Sequence, residues 1–162
     1  MIFGMSLSTF TQVHTVISLI GIATGLVVLF GMLANKTRCN WTAAFLVTTV
    51  LTSVTGFGFP FSQLLPSHIV GIISLAVLAK AILARYAFKL AGAWRWIYVV
   101  CAVLALYLNC FVGVVQAFVK IPALNALAPT QGEPPFLIAQ TGLLIVFIVL
   151  GFLAVRKFRP AM

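Results

Sequence analysis

The sequence predicts a bundle of five membrane-spanning helices, all α, on three observations. The first is composition: 63% of the 162 residues are hydrophobic, 7% are charged, and mean hydropathy is +1.21. A soluble domain of this length has too little interior to bury so much apolar surface. The second is run length. The apolar residues fall into stretches of about 20, enough to cross a hydrocarbon core of about 30 Å as helices. Lipid offers backbone N–H and C=O groups no partner, so only helices or a closed barrel can cross it, and these runs lack a barrel strand's alternation. The third is where the charge falls. Lys36 and Arg38, then Arg85, Lys89 and Arg95, then Arg156, Lys157 and Arg159 sit at alternate ends of successive runs. Those eight therefore share one face of the membrane, and only Lys120 falls on the other. The positive-inside rule then puts the N-terminus outside and the C-terminus in the cytoplasm. Basic residues in such places meet anionic lipid headgroups, so the net charge of +9 points to the membrane surface and not to nucleic acid.

The whole chain, 1–162, reads as one transmembrane domain with spans at about 13–34, 41–57, 68–85, 96–118 and 136–155. Thr9 and Gln12 have capping-box spacing and start the first helix just before His14. No basic leader or small-x-small site precedes or follows the first run, so that span is expected to be retained. Ser18, Gly21 and Gly25 share a face with His14, and Gly21-x-x-x-Gly25 permits close helix approach. The second span carries Thr42, Thr48, Thr49, Thr52, Ser53 and Thr55. Such hydroxyls either bond to their own helix in a packing role or line a polar path. Gly56, Gly58 and Pro60 end it, and the loop FPFSQLLP leads on.

The third span is expected to be the element around which the others pack. It opens at His68, carries Lys80 about 18 Å further along at helical rise, and stops at Arg85. Lys80 either snorkels toward the cytoplasmic headgroups or faces inward. In the fourth span Tyr98, Cys101, Ala105, Asn109, Gly113 and Gln116 recur at helical spacing, and the polar members need inward partners. The outer loop KIPALNALAPTQGEPP holds four prolines. Thr130 and Glu133 again have capping-box spacing, and Pro134 and Pro135 suit a helix start. The fifth span holds Gln140. Trp41, Trp94 and Trp96 map to the inner interface, where aromatic belts form. Cys39, Cys101 and Cys110 form no CxxC pair and read as small hydrophobes. His14 to Trp41 and His68 to Trp94 or Trp96 have similar spacings, which suggests that spans 1–2 and 3–4 are parallel repeats.

The residues open to chemistry are few. His14 and His68 begin two helices of the same direction at similar depth. As a converging pair they would ligate a b-type haem, with Gly21, Gly25 and Gly71 leaving room for the macrocycle. With Glu133, the lone acid, they would instead hold a metal ion; a role in proton or quinone chemistry is a further option. The bland alternative bonds each imidazole to loop carbonyls or headgroups. Thr48, Thr52, Thr55, Asn109, Gln116 and Lys80 are the candidates for a polar bundle interior. No phosphate-binding loop, nucleophile elbow, zinc-protease motif or paired carboxylates occur.

The segments TSVTGFGFPF (52–61), AGAWRWIYVV (91–100) and ALAPTQGEPPF (126–136) resemble a group of small, uncharacterised multi-pass bacterial inner-membrane proteins. That resemblance implies a multi-pass protein of the bacterial inner membrane and brings no activity with it. The outer-side histidines are also faintly similar to those of small b-type membrane cytochromes, most of which carry more histidines. The function expected from the sequence is a non-enzymatic integral membrane protein, a complex subunit or homo-oligomer. The alternatives are a haem electron-transfer protein and a small solute transporter or channel.

Overall fold

The fold is that of a computed structural model, which describes residues 4–37, 39–59 and 66–160. Arg38 and the loop residues 60–65 lie outside the described residues. Six α-helices follow in order: α1 Leu7–Leu33, α2 Cys39–Gly56, α3 Pro66–Ile82, α4 Trp94–Lys120, α5 Pro122–Leu127 and α6 Pro134–Lys157. No strand occurs among the described residues. Among the described residues four helical stretches are long and apolar enough to cross a membrane: Leu7–Leu33, His68–Ala87, Trp94–Lys120 and Pro134–Lys157. α2 is not among them, because its 18 residues carry six hydroxyl side chains that offset its valines and leucines.

Helix boundaries follow local chemistry, with two departures from the sequence reading. α1 starts earlier than the Thr9/Gln12 pair suggests. Its N-cap is Ser6, whose Oγ accepts from the Thr9 N–H at 3.1 Å. Glu133, not Thr130, stands at the N-cap of α6, ahead of Pro134 and Pro135. The capping-box bond still forms, because the Glu133 carboxylate accepts from the Thr130 N–H. α3 widens at its end into a π-helical turn, Leu83–Ala87, closed by Phe88 N–H on the Leu83 carbonyl at 3.0 Å. Lys89 and Leu90 then take left-handed backbone (φ 48° and 61°), as does Gly92 (φ 51°), and α4 begins.

Contacts between helices fix their directions. His14 meets Thr55, and the space beside Gly25 is filled by Phe45, so α1 and α2 run antiparallel. Ser53 with Ser74 and Phe57 with His68 set α2 antiparallel to α3. Tyr107 with Phe147 and Phe118 with Phe136 do the same for α4 and α6. The element around which the others pack is α4, a correction to the expectation for the third span. α4 touches α1, α2, α3, α5 and α6, and buries Tyr98, Val99, Ala105 and Leu106 almost completely. α3 offers a narrower seam, Ser74, Leu78 and Ala81, and leaves Ile69, Ile72 and Ile73 exposed. Among the long helices α3 packs on α2 and α4, whereas α4 meets neighbours on several sides. α6 packs by Phe147 and Ala154, while Ile138, Ile145, Ile148 and Phe152 face outward.

Candidate functional site

The structure gathers polar residues at three levels. At the end where α1 begins, His14 Nδ1 lies 2.8 Å from Thr55 Oγ1, and its ring meets Phe59 edge-on at 5.2 Å. His68 is buried, with the Phe57 ring 5.6 Å away. The turn after α2 thus sets one phenyl ring against each imidazole. α1 and α3 are separated by α2 and α4, on both of which each packs. The glycines expected to leave room for a flat macrocycle have protein beside them instead. A Cβ on Gly25 would lie 2.5 Å from Leu106 Cδ1, and one on Gly71 would lie 3.2 Å from the Phe57 ring. Glu133 joins neither histidine. Its carboxylate accepts from Thr130 Oγ1 at 2.8 Å and from the Thr130 and Gly132 N–H groups. Partial desolvation raises its pKa, but those hydrogen bonds outweigh it and hold the carboxyl below its ordinary value. Among the described residues no three His, Cys, Asp or Glu side chains come together as a metal site.

At mid-depth the hydroxyls of α2 turn on their own helix. Thr48 donates to the Ala44 carbonyl, Thr52 to Thr48 and Thr55 to Leu51, at 2.6 to 2.9 Å. This back-bonding lets a threonine sit in an apolar setting without a partner on another helix. Ser53 reaches further, donating to Ser74 Oγ on α3 at 3.0 Å. Asn109 is buried on α4, and its Nδ2 and Thr49 Oγ1 border the same point beside Gly21. Neither of those two atoms has a hydrogen-bond partner among the described residues. Gln140 is buried and donates to the Phe111 carbonyl at 3.2 Å.

Two of the candidates for a polar interior, Gln116 and Lys80, are exposed. Gln116 is exposed, because this end of α4 turns Phe118, two residues on and so on nearly the opposite side of the helix, into the contact with Phe136. Lys80 is exposed as well, and borders a crevice of about 370 Å³ with Trp94, Trp96 and Cys101. Its long stem lies along apolar surface, as a snorkelling lysine's does.

The third level is the opposite end, and no single stretch of sequence announces it. Antiparallel packing brings together the α1–α2 turn, the α3–α4 turn and the segment after α6. A groove of about 600 Å³ opens between them, bordered by Arg85, Lys89, Arg95 and Arg159. Arg95 Nη1 donates to the Val155 carbonyl at 3.1 Å and to the Phe158 carbonyl, closing the C-terminus of α6. Arg85 Nη2 lies 3.5 Å from Cys39 Sγ, and its guanidinium stands 5.5 Å from the Tyr98 ring centroid. The Arg159 N–H donates to Asn35 Oδ1 at 2.7 Å, pinning the tail to the α1–α2 turn. The one-sided charge was visible in the sequence, but its gathering into a groove depends on which turns meet. No protein-family model, curated protein or solved structure matches the chain.

Proposed function

We propose that this chain is a five-span integral protein of the bacterial inner membrane that serves as a non-enzymatic bundle, a subunit of a membrane complex or a homo-oligomer. The observation that carries the reading is the filled interior. The Thr48, Thr52 and Thr55 hydroxyls of α2 are spent on their own helix's carbonyls, and protein side chains occupy the space beside Gly21, Gly25 and Gly71. Such an interior favours a packing role over a solute path or an enclosed cofactor, and leaves the outer surface to do the work.

Pairing supports α2 as the fifth span. α1 and α2 run side by side from the level of His14 and Thr55 through that of Gly25 and Phe45, so a membrane crossed by one is crossed by the other. Eighteen residues reach about 27 Å as a helix, close to the hydrocarbon thickness. The basic groove marks the cytoplasmic end by the positive-inside rule, with α1 beginning outside. The packing of α1 on α2 and of α3 on α4 as two antiparallel pairs is consistent with a parallel repeat.

Cysteine labelling tests the topology. In a chain carrying Cys101→Ala and Cys110→Ala, an impermeant maleimide is expected to reach Cys39 only in inverted vesicles. With Cys39→Ala added, it should reach a Gly132→Cys only from outside. Both sites labelled from one side would overturn the five-span reading. Native mass spectrometry from gentle detergent tests the role: a defined oligomer or stoichiometric complex is expected, and a lone monomer would overturn it.

A further inference from the structure

We infer that the groove at the basic end is a binding site for a phosphate-bearing anion, either the headgroup of an anionic glycerophospholipid or a soluble phosphate, held chiefly by Arg85, Lys89 and Arg159. Four cationic side chains from two chain segments, Arg85, Lys89 and Arg95 around the α3–α4 turn and Arg159 after α6, border one opening. No acidic side chain balances them among the described residues: the sequence has a single Asp or Glu, and that residue, Glu133, is bonded at the far end. Like charges gathered without a counter-charge repel, so the arrangement is most stable with an anion between them.

The four are not equivalent. Arg95 is already engaged with two carbonyls of α6 and serves to close that helix. Arg85 is held in place by Cys39 and the Tyr98 ring, and its buried Nε has no partner among the described residues. Lys89 and Arg159 are exposed at the rim. Phosphate oxygens suit this set, because a guanidinium meets them with paired donors and an ammonium meets them as a point charge.

Two features of the backbone agree. α4 begins at Trp94 behind Ala93, an N-cap that makes no side-chain bond. The Ala91 carbonyl accepts from the Trp94 N–H at 3.0 Å, and the positive end of the 27-residue helix lies beside Gly92 and Arg95 in the groove lining. The turn before it is built from left-handed Lys89 and Leu90, a conformation that costs non-glycine residues free energy. That turn carries Lys89 back to the groove's edge.

Only the lipid source rests on the orientation proposed above, in which the groove lies at the level of the inner-leaflet headgroups. Binding itself can be measured in micelles, where both ends of the protein are accessible. The full-length chain in a non-ionic detergent is titrated with phosphatidylglycerol, against phosphatidylcholine, and separately with inorganic phosphate, against chloride at equal ionic strength. Tryptophan fluorescence follows the shift in Tm. The comparison is between Lys89→Gln/Arg159→Gln and Lys36→Gln/Lys157→Gln, which removes equal charge from the same end outside the groove. Phosphatidylglycerol is expected to raise Tm, with affinity about tenfold or more weaker in the groove variant and within about twofold of the parent in the other. The same pattern with inorganic phosphate alone would assign the site to a soluble anion. Equal weakening in both variants would mean diffuse surface charge and overturn the proposal, as would the lack of a shift with either ligand. Neither result depends on which way the chain sits in a membrane, so labelling topology and groove binding can fail separately.

Discussion

The two ends of the molecule are built on opposite principles. At the histidine end the rings close on one another: Phe10 meets Phe59 edge-on at 5.0 Å, Phe59 meets His14, and Phe57 meets His68. Gly58 is what lets them close, since a Cβ there would lie 2.8 Å from Phe10 Cζ and 3.2 Å from the Thr55 carbonyl oxygen. At the basic end four residues bordering one groove carry like charge, and Gly92 has no heavy atom within 4 Å of where its Cβ would stand. Glycine serves space at one end and backbone conformation at the other. Aromatic rings gain dispersion energy by approaching, whereas cations in a shared groove lose energy until something anionic joins them.

Substitutions at the two glycines should separate those roles most sharply. Gly58→Ala forces a methyl against a backbone carbonyl that cannot rotate away, and should destabilise by about 2 to 3 kcal/mol. Gly92→Ala meets no neighbour and bears only the left-handed backbone, about 1 kcal/mol, and Gly92→Asn should recover most of that because Asn tolerates this region. Thermal unfolding in detergent reads all three. If Gly92→Asn proved as damaging as Gly58→Ala, the contrast between the ends would be broken. Next in size is Arg95→Leu, which removes charge-assisted donors from the last carbonyls of α6 and should cost about 2 kcal/mol. Lys89→Gln, at the same end, should stay within about 0.5 kcal/mol, since an exposed lysine with no packing role rarely matters to stability. At the other end Thr55→Val removes the partner of His14 Nδ1 and should cost about 1 kcal/mol, read by the same melt.

The asymmetry between these ends also marks what could be read before the fold was known. Run length and apolar content were enough for four long apolar helices, because lipid tolerates almost no other backbone. The hydroxyl content of α2 was visible as well, and so was the local back-bonding that such residues favour, because donor and acceptor lie four residues apart. What stayed hidden were relations between distant residues. That Gly25 faces Leu106, that α4 and not α3 is shared by the other helices, and that Gln116 leaves the interior all depend on how helices rotate against one another. Hydropathy says little about rotation when a helix is apolar on every side. The groove is the plainest case, since Arg85, Lys89, Arg95 and Arg159 were read as a count on one face. Their meeting needs the tail after α6 to reach Asn35, a contact across 124 positions.

The smallest expected effect returns to the histidine end and its one carboxylate. Glu133 sits with its oxygens on Thr130 Oγ1 and on the Thr130 and Gly132 amides, bonds that favour the charged form. Its pKa is therefore held below the ordinary 4.5. A depressed carboxylate adds to stability above its unfolded pKa, and that contribution fades as pH falls through the folded value. Acidification should accordingly leave the loop intact through the ordinary Glu range and loosen it only below that. The amide proton shifts of Thr130 and Gly132 should move together with one midpoint under 4.5, and Glu133→Gln should abolish the transition. A midpoint at or above the ordinary value would mean that the carboxylate is not held by these donors. The entry to α6 would then rest on Pro134, Pro135 and the Phe118–Phe136 contact alone.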